Sequence, residues 1–214
     1  MSDDLNKNGQ WDSSDYDFGA WVDSDISQAC LNMGASRPKQ FKDGTSEDVI
    51  SYIRDSSYFA IMSHGSSDSI RCVKLSGESP YYTYNTDYLL NTQIQNLYDG
   101  YFSTTRCAVL CCCLCGYGRE KNSSNLVNLI HQKGAWTVIG FSESIAHISG
   151  KYNMDMGSPK WCRTLAISLS NGKTVKQAVR EAETAAQRPS DGYKFGLDSC
   201  YILPETRIRY LRND

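Results

Sequence analysis

No apolar stretch in the chain approaches the ~20 consecutive residues of a membrane-spanning helix, so no membrane span is expected. The start, Met1-Ser2-Asp3-Asp4, has neither the charged nor the apolar part of a signal peptide. A basic tract is also missing. The 22 Lys and Arg are interspersed with 24 Asp and Glu, for a net charge of −2, which disfavours a nucleic-acid partner. No internal repeat occurs, and no linker cuts the chain after its first two dozen residues. A sequence of 214 residues, 40% hydrophobic, is long enough for one substantial core. We divide it into an acidic N-terminal segment, residues 1–22, and one domain, residues 23–214.

Histidine is scarce, with three in the chain, whereas cysteine is abundant, with nine. Five of the nine crowd into residues 107–115, and neighbours on one strand cannot staple distant loops, which argues against a disulfide scaffold. Cys30, Cys72, Cys162 and Cys200 are scattered singly, without the second liganding pair that a metal or iron–sulfur site needs. Most of these thiols are therefore expected to be small buried hydrophobes.

The crowded run is Cys107-Ala108-Val109-Leu110-Cys111-Cys112-Cys113-Leu114-Cys115-Gly116. It is short, apolar and ended by glycine, as expected of a strand covered on both faces in a parallel sheet. Alternation puts Cys111, Cys113 and Cys115 on one face and Cys112 on the other. An earlier run, Tyr58-Phe59-Ala60-Ile61-Met62-Ser63-His64-Gly65, has the same form with an imidazole where the second has a thiol. Ligands bind at the carboxyl ends of strands in open parallel sheets. A His and a Cys delivered to one such edge have the arrangement that a thiol nucleophile and its base require. His131, late in a helix, and His147, in a loop, are not placed for that task.

Around these strands the pattern predicts helices over 26–33, 89–97, 126–133, 159–169 and 175–186, and one that opens at Ser46-Glu47-Asp48 and carries Val49, Ile50 and Ile53. Capping residues and glycine stops mark most of their ends. Strands are expected over 17–22, 70–75, 135–141, 200–203 and 207–211, with the Tyr-rich stretch 80–88 as a loop or lid and 150–157 as irregular loop. Strands alternating with helices mean an α/β three-layer sandwich, a mostly parallel central sheet with helices on both faces.

Within the N-terminal segment, residues 4–15 follow the pattern D-x-D/N-x-D/N-G-x5-D/E. Oxygen side chains come from Asp4, Asn6, Asn8, Asp12 and Asp15, with Gly9 at the sharp turn. It resembles EF-hand and dockerin-type loops, which implies a calcium ion with the main-chain carbonyl of Gln10 as a further ligand. Asp15 stands where the longer Glu would reach the ion through both oxygens, which implies weak affinity.

Taken together, the two strand ends resemble the caspase-like cysteine peptidases of clan CD, the group of caspases, gingipains, clostripains, legumains and CHAT domains. The run Val109-Leu110-Cys111-Cys112-Cys113-Leu114-Cys115-Gly116 matches the CHAT-like V-L-S-A-C-x-T/S-G at its Val, Leu, nucleophile and Gly. Cys113 follows His64 by 49 residues, close to the ~50 of the caspase signature. Residues 134–141 and 171–178 resemble the corresponding CHAT and gingipain-like stretches.

The resemblance implies a caspase-like fold and a His64–Cys113 dyad. It also implies an oxyanion hole from the Gly65 and Cys113 amides, with glycine leaving room for substrate. Alignment selects Cys113 as nucleophile, and strand-end geometry leaves Cys115 as the alternative. In the family the residue two before the nucleophile lines the primary specificity pocket. Here that residue is Cys111, which gives no support for basic specificity. Glu143 and Asp68 are the acids placed to meet a basic side chain of a protein or peptide substrate.

Three function classes follow: a cysteine endopeptidase, an inactive caspase-like regulatory or interaction module, and a calcium-dependent binding module with core thiols. The calcium loop points to an extracellular or cell-surface setting, the thiols and the missing signal peptide to a reducing interior.

Overall fold

The computed structural model describes residues 2–3, 16–17, 25–35, 38, 44–76, 83–118, 124–146 and 156–204. Two short strands, β1 (Ser2–Asp3) and β2 (Tyr16–Asp17), pair antiparallel with Ser2 opposite Asp17. Helix α1 (Asp25–Asn32) ends before Gly34, whose φ of 93° only glycine adopts readily. Helix α2 (Ser46–Asp55) starts at a capping box, in which the Thr45 side chain accepts from the Asp48 amide and the Asp48 side chain returns to the Thr45 amide.

Strand β3 (Tyr58–Ser63) leads through a tight turn into β4 (Ser69–Ser76), which pairs antiparallel with β5 (Thr83–Leu90). Here the chain departs from the expected lid over 80–88: residues 83–90 are strand. Tyr and Thr suit a pleated surface, and that preference prevails over the loop-like polarity of the stretch. Because β5 includes Leu89 and Leu90, the following helix α3 (Asn91–Gln95) is shorter than the expected 89–97. An Asp87 carboxylate oxygen accepts the Ser46 amide at 2.7 Å and ties the hairpin to the start of α2.

Next come β6 (Cys107–Cys112), α4 (Leu126–Gln132) capped by Asn125, and β7 (Val138–Phe141), which begins three residues later than expected. Helices α5 (Gly157–Ser170) and α6 (Val175–Ala186), the latter capped by Thr174, precede a single 3-10 turn (Leu197–Ser199) and β8 (Cys200–Leu203). The expected strand over 207–211 and most of that over 17–22 lie outside the described residues.

The central sheet has the order β3-β6-β7-β8, with β3, β6 and β7 parallel and β8 antiparallel to β7. Strand β6 is buried at every position, which is why its sequence carries no polar alternation. Its two faces feed two cores. Cys107, Val109 and Cys111 pack with Ile26, Trp161, Leu165, Val179 and Ala182, from α1, α5 and α6. Ala108, Leu110 and Cys112 pack with Val49, Ile53, Ile94, Leu126 and Ile130, from α2, α3 and α4, and with Ile70 and Leu89 of the hairpin. The molecule is thus the expected α/β three-layer sandwich. No described helix is long and apolar enough to cross a membrane.

Candidate active site

Strands β3 and β6 pair in parallel register from Tyr58 opposite Cys107 to Ser63 opposite Cys112. The next residue on each strand is His64 and Cys113. Met62 and Cys111, opposite one another, both pack on the α1, α5, α6 side of the sheet. Cys113 packs against that same side, and strand alternation, continued one step past β3, assigns the His64 position to it as well. His64 and Cys113 thus follow neighbouring strands at the carboxyl edge of the sheet, His64 exposed and Cys113 half-buried.

The β3 end is fixed by its turn. The Arg71 amide donates to the His64 carbonyl (2.9 Å) and the Ser66 amide to the Ser69 carbonyl (2.8 Å). These bonds flank the Gly65–Ile70 pair and leave the Gly65 N–H out of the ladder. A Cβ on Gly65 would lie 2.8 Å from the Cys112 Cβ and 2.9 Å from the Cys113 carbonyl oxygen. The space that glycine leaves is therefore taken by the neighbouring strand, not held open for substrate as expected, and it brings the Gly65 main chain against that of Cys113.

Beyond β6 the expected alternation fails at one residue. Leu114 has a φ of 58°, in the left-handed region, and this turns Cys115 away from the face of Cys111 and Cys113. Cys115 is fully buried. Its single S–H is shared between the carbonyls of Leu110 (3.3 Å) and Cys112 (3.2 Å), and its sulfur accepts the Phe141 amide (3.5 Å). Burial pushes it up to about 12. The alternative nucleophile is thus removed from the sheet edge.

The other thiols of the run are equally inaccessible. Cys107, Cys111 and Cys112 have no exposed surface, and burial raises each, Cys107 to about 12. Cys111 also has the Cys162 side chain beside it, which raises it further. Its place is in the core, so it does not line a substrate pocket as its position in the motif implied. In the run from Cys107 to Cys115, Cys113 is the one thiol with partial exposure.

The acids separate. Glu143 is exposed, and its carbonyl accepts the Leu114 amide at 3.1 Å, so its main chain adjoins Cys113. Asp68 is exposed in the β3–β4 turn, where it accepts from the Ser66 hydroxyl (2.6 Å) while its carbonyl accepts the Asn91 amide (2.8 Å). Those contacts tie Asp68 to its own turn and to the start of α3. His131 sits in the opposite layer with Nδ1 2.8 Å from the Ala135 carbonyl, and His147 lies outside the described residues.

Two contributors carried no sequence signal. The Cys113 sulfur lies 3.4 Å from both polar main-chain atoms of Ile145, accepting from the amide and donating to the carbonyl. The segment that presents Ile145, residues 142–146, is held from behind by Ser199. The Ser142 amide (3.0 Å) and hydroxyl (3.1 Å) donate to the Ser199 carbonyl, and the Glu143 amide donates to its hydroxyl (3.3 Å). An aliphatic residue acting through its backbone and a lone serine nearly sixty residues further on leave no pattern to read.

The calcium loop, with Asp4, Asn6, Asn8, Gln10, Asp12 and Asp15, lies outside the described residues. The β1–β2 pairing brings together the backbone on either side of it. Among the described residues no group of three His, Cys, Asp or Glu side chains could hold a metal ion. Compared with known proteins, the chain matches no family model and no curated relative.

Proposed function

We propose that the chain is a cysteine endopeptidase of caspase-like type, cleaving peptide bonds through His64 and Cys113. One observation carries the reading: the accessible thiol of a five-cysteine run directly follows β6 as the exposed His64 directly follows β3, at the carboxyl ends of two neighbouring parallel strands. In the reaction His64 takes the Cys113 proton, and the sulfur attacks the scissile carbonyl to form an acyl-enzyme. His64 then returns the proton to the leaving amine, and water releases the acyl group. The amides of Gly65 and Cys113 are the donors for the developing oxyanion. Glu143, whose backbone adjoins the nucleophile, is the acid for a basic side chain before the scissile bond; Asp68 is the weaker candidate.

The test is stoichiometric labelling of the full chain with a peptidyl electrophile, mapped by mass spectrometry. An adduct on Cys113 that disappears in His64→Ala supports the peptidase. Absence of any adduct favours the inactive regulatory module. Calcium held by residues 4–15 is a separate proposal, supported by the pattern and by the strands that join the loop's flanks. Calorimetry that detects no binding at millimolar calcium rules it out.

A further inference from the structure

We infer that Ser199 is a positioning residue for Cys113: its hydroxyl and carbonyl hold the strap 142–146, and the strap holds the sulfur. This rests on the reading of Cys113 as nucleophile only for its meaning in catalysis. The contacts form a continuous path. Ser199 Oγ accepts the Glu143 amide (3.3 Å) and donates to the Gly196 carbonyl (2.7 Å). Its carbonyl accepts both the Ser142 amide and the Ser142 hydroxyl. On the far side of the strap, the Glu143 carbonyl accepts the Leu114 amide, and Ile145 grips the Cys113 sulfur through its N–H and C=O.

The backbone behind the strap bears the mark of an imposed conformation. Phe195 has a φ of 56° and Gly196 of 72°. A non-glycine residue is disfavoured there and persists when its surroundings over-determine it. What holds it is the strap: the Ala146 amide donates to the Phe195 carbonyl at 2.9 Å, and a Cβ on Gly196 would lie 2.2 Å from the Ser144 carbonyl oxygen. Ser199 is buried and Ile145 belongs to the main core, so the grip is set from within the fold. The consequence is chemical. A thiol has one hydrogen, and while it is donated to the Ile145 carbonyl it is not aimed at the imidazole. The strap thus fixes where the sulfur points at rest, and substrate entry must turn that hydrogen toward His64.

The test is the rate at which iodoacetamide modifies each cysteine of the full chain at neutral pH, mapped by mass spectrometry. Ser199→Ala removes the hydroxyl link and should accelerate modification of Cys113 about five-fold, the equivalent of one net hydrogen bond. The Cys30 rate should stay unchanged and the four buried thiols of the run should remain unmodified. Ser199→Thr, which keeps the hydroxyl, should restore the original rate. Gly196→Ala, which drives a methyl group into Ser144, should act in the same direction with the Ser199 side chain intact.

An unchanged Cys113 rate in Ser199→Ala would overturn the inference. So would acceleration shared with Cys107, Cys111, Cys112 and Cys115, because that is general loosening, or a failure of threonine to restore. Iodoacetamide needs neither peptide turnover nor His64. A negative result for the strap therefore leaves the peptidase reading standing, and an inactive peptidase leaves the strap measurable.

Discussion

Cys113 and Cys115 are two residues apart, yet one emerges half-buried at the sheet edge and the other is sealed in the opposite core, bonded to two carbonyls of its own chain. The difference is made by Leu114, whose left-handed backbone breaks the alternation between them. Chemically identical side chains are thereby given different tasks. Cys115 shares its hydrogen between the Leu110 and Cys112 carbonyls, while Cys113 emerges at the sheet edge where the neighbouring strand β3 leads into His64. Burial also acts on the thiols inside: it raises Cys107 and Cys115 to about 12.

The comparison breaks most sharply if the thiol that reacts is not Cys113. Cys113→Ala and His64→Ala should each lower peptide turnover by about a thousand-fold or more, and the double variant should be hardly worse than either, because members of one catalytic unit are strongly non-additive. Cys112→Ala should keep turnover, since its side chain faces the second core. Rates with a fluorogenic peptide library check all four variants. A double variant far worse than both singles would mean the two groups do not act together.

Alkaline titration sharpens the other half of the contrast. Cys107 and Cys115 are raised from 9.0 to about 12, and Cys111 and Cys112 move in the same direction. Above pH 9 the unfolded chain gives up thiol protons that the folded chain keeps. The stability these groups contribute is complete below that pH and declines as pH rises toward 12. Each thiol accounts for a slope of about 1.4 kcal/mol per pH unit. Urea midpoints at several pH values should show the decline, and Cys107→Ala should flatten it.

A smaller effect is expected at Cys115 itself. Cys115→Ala removes the S–H shared between the Leu110 and Cys112 carbonyls and the acceptor of the buried Phe141 amide, for a loss of about 1–3 kcal/mol. Its urea midpoint should fall while Cys113 remains labelled at full stoichiometry. Loss of labelling in this variant would return Cys115 to the candidates for nucleophile.

Much of the architecture could be read in advance because its signals are local. Thr45, Asn125 and Thr174 cap the helices expected to start there, and the continuous apolar runs ending at Ser63 and Cys112 are the neighbouring parallel strands β3 and β6. Reading both runs as strands of one parallel sheet places His64 and Cys113 at the same sheet edge, and the structure adds that the two strands are paired neighbours. What escaped was set by tertiary contact or by single backbone angles. The partner that makes residues 83–90 a strand is β4, and a reading of the Tyr-rich stretch alone takes it for a loop. The φ of Leu114 has no signature in its side chain, so Cys115 was assigned to the wrong face. Ile145 acts through backbone atoms that every residue possesses, and Ser199 through a spacing that corresponds to no motif. Cys111 shows the limit of reasoning from resemblance: its motif position implied a pocket, and its neighbours make it core.

The smallest effect tests whether changes at the sheet edge are local. Thr174 caps α6, which packs in the same layer as α5 on the Cys113 side of the sheet; its side chain accepts the Gln177 amide and Gln177 reciprocates. Thr174→Ala leaves that amide without its partner at an exposed helix start, for a loss of about 1 kcal/mol. The helix retains its buried face, formed by Val175, Ala178, Val179 and Ala182, so its position should hold. Electrophile labelling and iodoacetamide rates at Cys113 should then match the parent chain although the urea midpoint is lower. If this remote loss of stability accelerated Cys113 as much as Ser199→Ala does, the sulfur would be responding to overall stability and not to the strap that grips it.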